Sequence, residues 1–259
     1  MKSKRITQTI MAIMAALALA SFGCKKDEGG GEGEKGGDKA AEKGGDKAAG
    51  KKAGASKTSF AVFPKDSEFV LGFNGNSLRN SGLYKKFSPM IEGALSKEKD
   101  YQTFKETCGF DPISKIESVI IGGSMGGDDG VVVLKGFNRG EAKSCAEKMA
   151  KKEGEDVKIE EDGKLMKVTN KSDVMWFAWL DDNTVVTGAG AEGDGGKAWV
   201  EGRMAGKDGL DKNADMTELL KQVDSAGTMW FVAKPKDASK MAMMGPPPSA
   251  MFGTILLTA

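Results

Sequence analysis

The chain has 259 residues, with 38 Lys and Arg against 37 Asp and Glu, a formal net charge of +1 and no histidine. Balanced charge gives no electrostatic basis for binding nucleic acid, which calls for a basic excess or stripe. Without histidine the chain lacks the commonest general base, the commonest metal ligand and any Ser-His-Asp mechanism.

Residues 1–24 read as a targeting segment. "MKSKR" is a cationic start, "ITQTIMAIMAALALA" an apolar core too short for a comfortable transmembrane helix, and "SFGC" is followed at once by the charged "KKDE". A small residue directly before a cysteine, after such a core, resembles the bacterial lipoprotein signal, with Ser21 standing where Leu, Val or Ile is usual. The resemblance implies that Cys24 is the lipidated first residue of the mature chain. The protein would then be held by its lipid in a bacterial cell envelope, on the outer membrane or the periplasmic face. A plain secretory peptide or an uncleaved anchor is the other reading, and each of these means export.

Residues 25–58 contain no hydrophobic side chain larger than alanine, and "EKGGDKAA" stands twice in tandem at 34–41 and 42–49. Such a stretch buries too little apolar surface to offset its ordering entropy, so it is expected to be a disordered tether. Its r.m.s. reach is roughly 30 Å. A segment touching peptidoglycan or lipid is the alternative, but the interspersed signs cancel.

Residues 59–259 are enough for one real core. "SEFVLGFN" (67–74) is predicted as a strand, and "GLYKKFSPMIEGAL" (82–95) and "KDYQTFKETCG" (99–109) as helices, the second capped by Gly109. "IESVIIGG" and "GVVVLKGF" are predicted strands. An amphipathic helix over 139–154 leads to a hairpin over 157–168 turning at Asp162-Gly163. "DVMWFAWL" and "NTVVTGAG" form another hairpin, turning at Asp181-Asp182-Asn183.

The series strand, helix, helix, strand, strand then recurs as "TVVTGAG", "KAWVEGRM", "DMTELLKQV", "GTMWFVA" and "MFGTILLTA". The expected class is α+β: a largely antiparallel sheet with helices packed on one face and a weak internal β-α-α-β-β repeat. In "VMWFAWL" both alternating faces are apolar, which calls for a cover on the second face as well. The last strand has no helix after it to protect it, so the parent gene is expected to encode a further helix and strands beyond Ala259. "FPKDSEFVLGFN", "CGFDPISKIESVIIGG", "GVVVLKGF" and the strand ending at Trp230 resemble uncharacterised myxobacterial-type envelope lipoproteins. That resemblance implies a location and a fold, and no known activity.

Four features invite chemistry. Gly122-Gly123-Ser124-Met125-Gly126 matches the G-x-S-x-G pattern of serine hydrolases, but a nucleophile elbow is followed by a helix, and here a strand follows. Ser124 is expected in a glycine-rich hairpin turn, and a Ser–Lys pairing with Lys135 is the only activation conceivable without histidine. Asp128, Asp129, Asp181, Asp182, Asn183 and Asp194 could suggest calcium, yet all fall at predicted turns and none shows the spaced D-x-D-x-D-G loop. Met241, Met243, Met244 and Met251 could suggest Cu(I), although methionine is also a general gap-filler. Cys108 and Cys145, on two exported helices, are expected to form a disulfide.

No catalytic, cofactor or metal site is therefore assigned. The expected function is a non-catalytic structural or interaction module whose partner is an envelope protein. The alternative is a carrier holding an apolar ligand between the sheet and its covering layer. An emptied apolar cavity would favour the carrier, and a filled core the interaction module.

Overall fold

The computed structural model describes residues 60–125, 129–171, 173–236 and 253–257. The targeting segment with Cys24, the tether, Asp128 and the four methionines at 241–251 lie outside the described residues. The elements in order are β1 (Phe69–Asn74), α1 (Gly75–Asn80), α2 (Gly82–Leu95), α3 (Lys99–Cys108), α4 (Pro112–Lys115), β2 (Ser118–Gly123), β3 (Val131–Lys135) and α5 (Arg139–Glu153). There follow β4 (Val157–Asp162), β5 (Leu165–Asn170), β6 (Asp173–Asp181), β7 (Thr184–Gly188), α6 (Gly196–Ala205), α7 (Ala214–Gln222), β8 (Met229–Ala233) and β9 (Gly253–Leu257). Short 3₁₀ turns at Ala189–Ala191 and Leu210–Lys212 flank α6.

Local chemistry sets the ends of these elements. Asn74, Ser81, Asp111, Asn138 and Asn213 each accept a backbone N–H of the helix they precede, relieving one of its orphan donors. Gly109 ends α3 at φ 77°, a left-handed conformation that side-chain-bearing residues resist. The hairpin between β4 and β5 turns one residue later than expected, with Gly163 at φ 58°.

The strands form one sheet in the order β4-β5-β6-β7-β3-β2-β1-β8-β9. Its first eight strands pair antiparallel, and β9 joins the edge parallel to β8. The expected α+β class with a largely antiparallel sheet is therefore the observed one.

The helices, expected on one face, divide between both. Neighbouring strand residues point to opposite faces, and on β4 Glu161 pairs with Arg139 and Lys143 of α5 while Asp162 pairs with Lys197 of α6. Charged partners thus mark α5 and α6 as opposite layers. This satisfies the two-faced apolar pattern of β6, which a single helical layer would have left half solvated.

The repeat holds only in outline, since four helices join β1 to β2 and two join β7 to β8, and it does not hold in space. β1 and β2 are antiparallel neighbours, whereas β7 and β8 are separated by β3, β2 and β1. Likewise β2 and β3 pair antiparallel, and β8 and β9 parallel. Similar element order does not fix which edge a returning strand joins, and few residues match between the two halves.

The main core lies under α6 and α7. Val70, Val131, Val186 and Val232 of the sheet are fully buried with Val200, Leu210 and Met216 of the cover. Each such side chain contributes about 1.5–3 kcal/mol on leaving water. Aromatic rings fill the positions that sheet glycines leave open. A Cβ on Gly72 would stand 2.0 Å from the Trp230 indole, and one on Gly122 2.8 Å from the Phe63 ring. On the other face Leu134, Met166, Trp179 and Val185 are buried, as are Cys145 and Ala150 of α5.

Candidate functional site

Ser124 follows β2 directly, and the antiparallel β3 comes next, so the expected hairpin context is found. Its backbone N–H donates to Asp129 Oδ1 at 2.7 Å, and the next N–H, of Met125, donates to Glu68 Oε2 at 2.9 Å. The carboxylates thus hold the turn through its main chain. Lys135 lies at the opposite end of β3, in register with Ser118 and ion-paired to Glu117 at 3.2 Å. The fold therefore does not bring Ser124 and Lys135 together.

In the β6–β7 turn one of the two aspartates is spent locally. Asp181 accepts the Asn183 N–H at 2.9 Å and the Thr184 hydroxyl at 3.0 Å. This is the backbone mimicry that makes Asp frequent in turns. Among the described residues no group of three or more potential ligands is placed to hold a metal ion.

Cys108 and Cys145 form the expected disulfide, with Cα atoms 4.7 Å apart, joining α3 to α5. Phe110 sits beside this junction against Phe104 and Phe137, at centroid distances of 5.5 and 5.6 Å. Asp111 caps α4 and accepts from the Tyr101 hydroxyl. Burial acts to raise the carboxyl's pKa. The Tyr101 bond, the N–H groups of Ile113 and Ser114, and Lys105 outweigh it and hold Asp111 below the ordinary carboxylate value. The same burial, with the Asp111 bond and charge, pushes the Tyr101 phenol well above its ordinary range. This is a structural pair, since both groups are consumed in joining α3 to α4.

The most polar buried arrangement surrounds Glu68, which sequence reasoning passed over as part of a strand. It is 3% exposed and precedes β1. Its Oε1 accepts the Lys236 N–H at 2.7 Å, while Oε2 holds Met125. Its own N–H donates to Gly123 O, and its carbonyl accepts from Lys234 N–H, both at 2.8 Å. One residue thereby ties the β2–β3 turn to the segment after β8.

Beside it opens a cleft of about 530 Å³ whose lining includes Lys65, Asp66, Arg203, Asp215, Lys234 and Lys236. Lys234 pairs with Asp215, and Lys236 with Asp66 at 3.5 Å. The Arg203 Nε is buried with no hydrogen-bond partner among the described residues. Paired charges of both signs and a carboxylate fixed on backbone amides make a structural junction.

No known family model matches the chain, and no curated protein matches it. Two solved structures, crystal forms III and I of TP0453, align with it at TM-scores of 0.34 and 0.32 and identities of 9% and 8%. The alignments cover 56% and 60% of this chain, which spans about half the length of those structures (51% and 52%). Likeness at this level says nothing of function.

Proposed function

We propose that the chain is a lipid-tethered, non-catalytic interaction module of a bacterial cell envelope. The observation that carries the reading is the run from "MKSKR" through the apolar core to Gly23-Cys24, followed by a charged, glycine-rich stretch before the folded body at Phe60. Such an order delivers a domain to a membrane surface on a leash.

Between the two binding modes, the packing favours surface interaction over internal carriage. Trp230 and Phe63 occupy the space above Gly72 and Gly122, and the layer under α6 and α7 is closed by fully buried Val200, Leu210 and Met216. The cleft beside Glu68 carries two ion pairs in its lining, Lys234–Asp215 and Lys236–Asp66.

The test is fractionation of the native envelope with metabolic labelling by a fatty-acid analogue. Wild type is expected in the membrane fraction with label, and Cys24→Ser in the soluble fraction without it. Unlabelled wild type, or membrane association unchanged in Cys24→Ser, overturns the anchor. Cross-linking in the same envelopes then identifies the partner.

A further inference from the structure

Among the described residues two large hydrophobic side chains are exposed, Phe87 at 39% and Met90 at 67%, and both belong to α2. At 100° per residue, Tyr84, Phe87, Met90, Ile91 and Leu95 fall within one arc of about 140°. Tyr84, Ile91 and Leu95 form one flank of that arc and are half-buried, while Phe87 and Met90 form the other and face water. The Leu95 carbonyl accepts from Gln102 of α3, which ties down the half-buried side. Lys86 borders the exposed flank, its Nζ 5.8 Å from the centre of the Phe87 ring, whereas Lys85 stands about 160° round the helix from Phe87.

We propose that this exposed flank of α2 seats in the headgroup–acyl boundary of an anionic bilayer, giving the module a second membrane contact. The inference rests on the lipid-anchor reading. An apolar flank bordered by lysine is the composition of an interfacial helix, whose rings enter shallowly while its ammonium groups meet anionic headgroups.

Cys24 precedes Phe60 by 36 residues, and the tether expected from their composition would have an r.m.s. reach of roughly 30–36 Å. A lipidated Cys24 would therefore hold the folded body close to the surface, where even a weak insertion of α2 becomes an intramolecular event. A stable protein partner or a second copy would want about 800 Å² on each side. Two side chains fall far short of that, yet suffice for shallow insertion.

The experiment places an indole at the flank. The full chain carrying Phe87→Trp is mixed with vesicles of phosphatidylethanolamine and phosphatidylglycerol containing acyl-brominated phospholipid, in the wild-type and Cys24→Ser backgrounds. Emission above that of the four native tryptophans is expected to shift to the blue, to fall at least twofold with brominated lipid, and to resist iodide. Replacing Lys86 by Gln in the Cys24→Ser background should weaken vesicle partition about fivefold, and replacing Lys85, which lies round the helix from the flank, should weaken it less.

Co-flotation weakened in Cys24→Ser reports on the anchor, and quenching reports on α2, so the two can fail separately. An iodide-accessible, bromine-insensitive indole on a co-floating chain overturns the α2 contact and leaves the anchor standing. An indole shielded from both quenchers on a dimeric chain assigns the flank to a second copy and equally overturns it. A chain that floats in neither background, with its indole unquenched, removes both readings.

Discussion

The helical pairs that follow β1 and β7 are alike in order and unlike in attachment. After β7, α6 and α7 lie on the sheet and close the main core with Val200, Met216 and Leu219. After β1, no side chain of α3 is fully buried, and α2 shows Phe87 and Met90 to solvent. The first pair is held by apolar area. The second is held by the Cys108–Cys145 bond, the Phe104–Phe110–Phe137 ring contacts and the Tyr101–Asp111 hydrogen bond. One order of elements has thus produced a structural layer and a displayed arm. What separates them is the number of side chains that reach the sheet.

The largest expected effect tests the layer. Phe63 is fully buried on Gly122, and Phe63→Ala should cost about 3–5 kcal/mol, lowering the urea midpoint of unfolding at an unchanged slope. A loss below about 1 kcal/mol would mean that area does not hold this side together.

Next comes the staple of the arm. The bridge spans a sequence separation of 37, for which the chain-entropy model gives at most about 4 kcal/mol. Cys108→Ser with Cys145→Ser should release α3 first. Its amides should exchange faster while those of α7 keep their protection. Equal acceleration in both would show that the arm and the layer are one cooperative unit.

Asp111→Ala removes the cap of α4 and should cost about 1 kcal/mol. The folded carboxyl sits below its unfolded value of about 3.9. Its contribution is therefore fully present above roughly pH 4 and is lost as pH falls through the folded value. The gap between wild type and Asp111→Ala should close in acid when unfolding is compared at neutral and low pH. A gap that persists would assign the loss to packing and not to charge. The raised phenol adds an independent check, because one of the two tyrosines should ionise late in an alkaline ultraviolet titration.

Much of the fold was legible in the sequence because it is written in local chemistry. The α2 boundaries follow from Ser81 and a 3.6-residue apolar spacing, and the end of α3 from Gly109. The hairpins follow from Asp and Gly between alternating strands, and the cystine from two cysteines on predicted helices of a chain expected to be exported. Strand order was not legible. Nothing in "TVVTGAG" or "GTMWFVA" says that three strands lie between them, since that depends on which edges were already occupied. Nor did the sequence mark Glu68, because its partners are backbone N–H groups of Met125 and Lys236, and a backbone amide has no letter of its own. The exposure of Phe87 was equally hidden. An amphipathic pattern shows that a helix has an apolar side, but not how much of that side the body covers.

That last point yields the smallest expected effect on stability and the sharpest test of the arm as a displayed element. Met90 is two-thirds exposed and Phe87 about two-fifths, so their burial contributes only part of what a core side chain does. Phe87→Ser with Met90→Ser should then cost no more than about 1 kcal/mol, apart from the modest helix-propensity cost of serine. The same pair of changes in a buried helix face would cost several kcal/mol, as for Phe63 or Met216. Equilibrium urea unfolding in the absence of lipid separates these cases. A loss of about 1 kcal/mol or less keeps α2 as a surface whose apolar residues serve something outside the fold. A loss above about 2 kcal/mol would mean that the flank is covered by the protein's own body. The contrast between arm and layer would then collapse into two layers of the same kind.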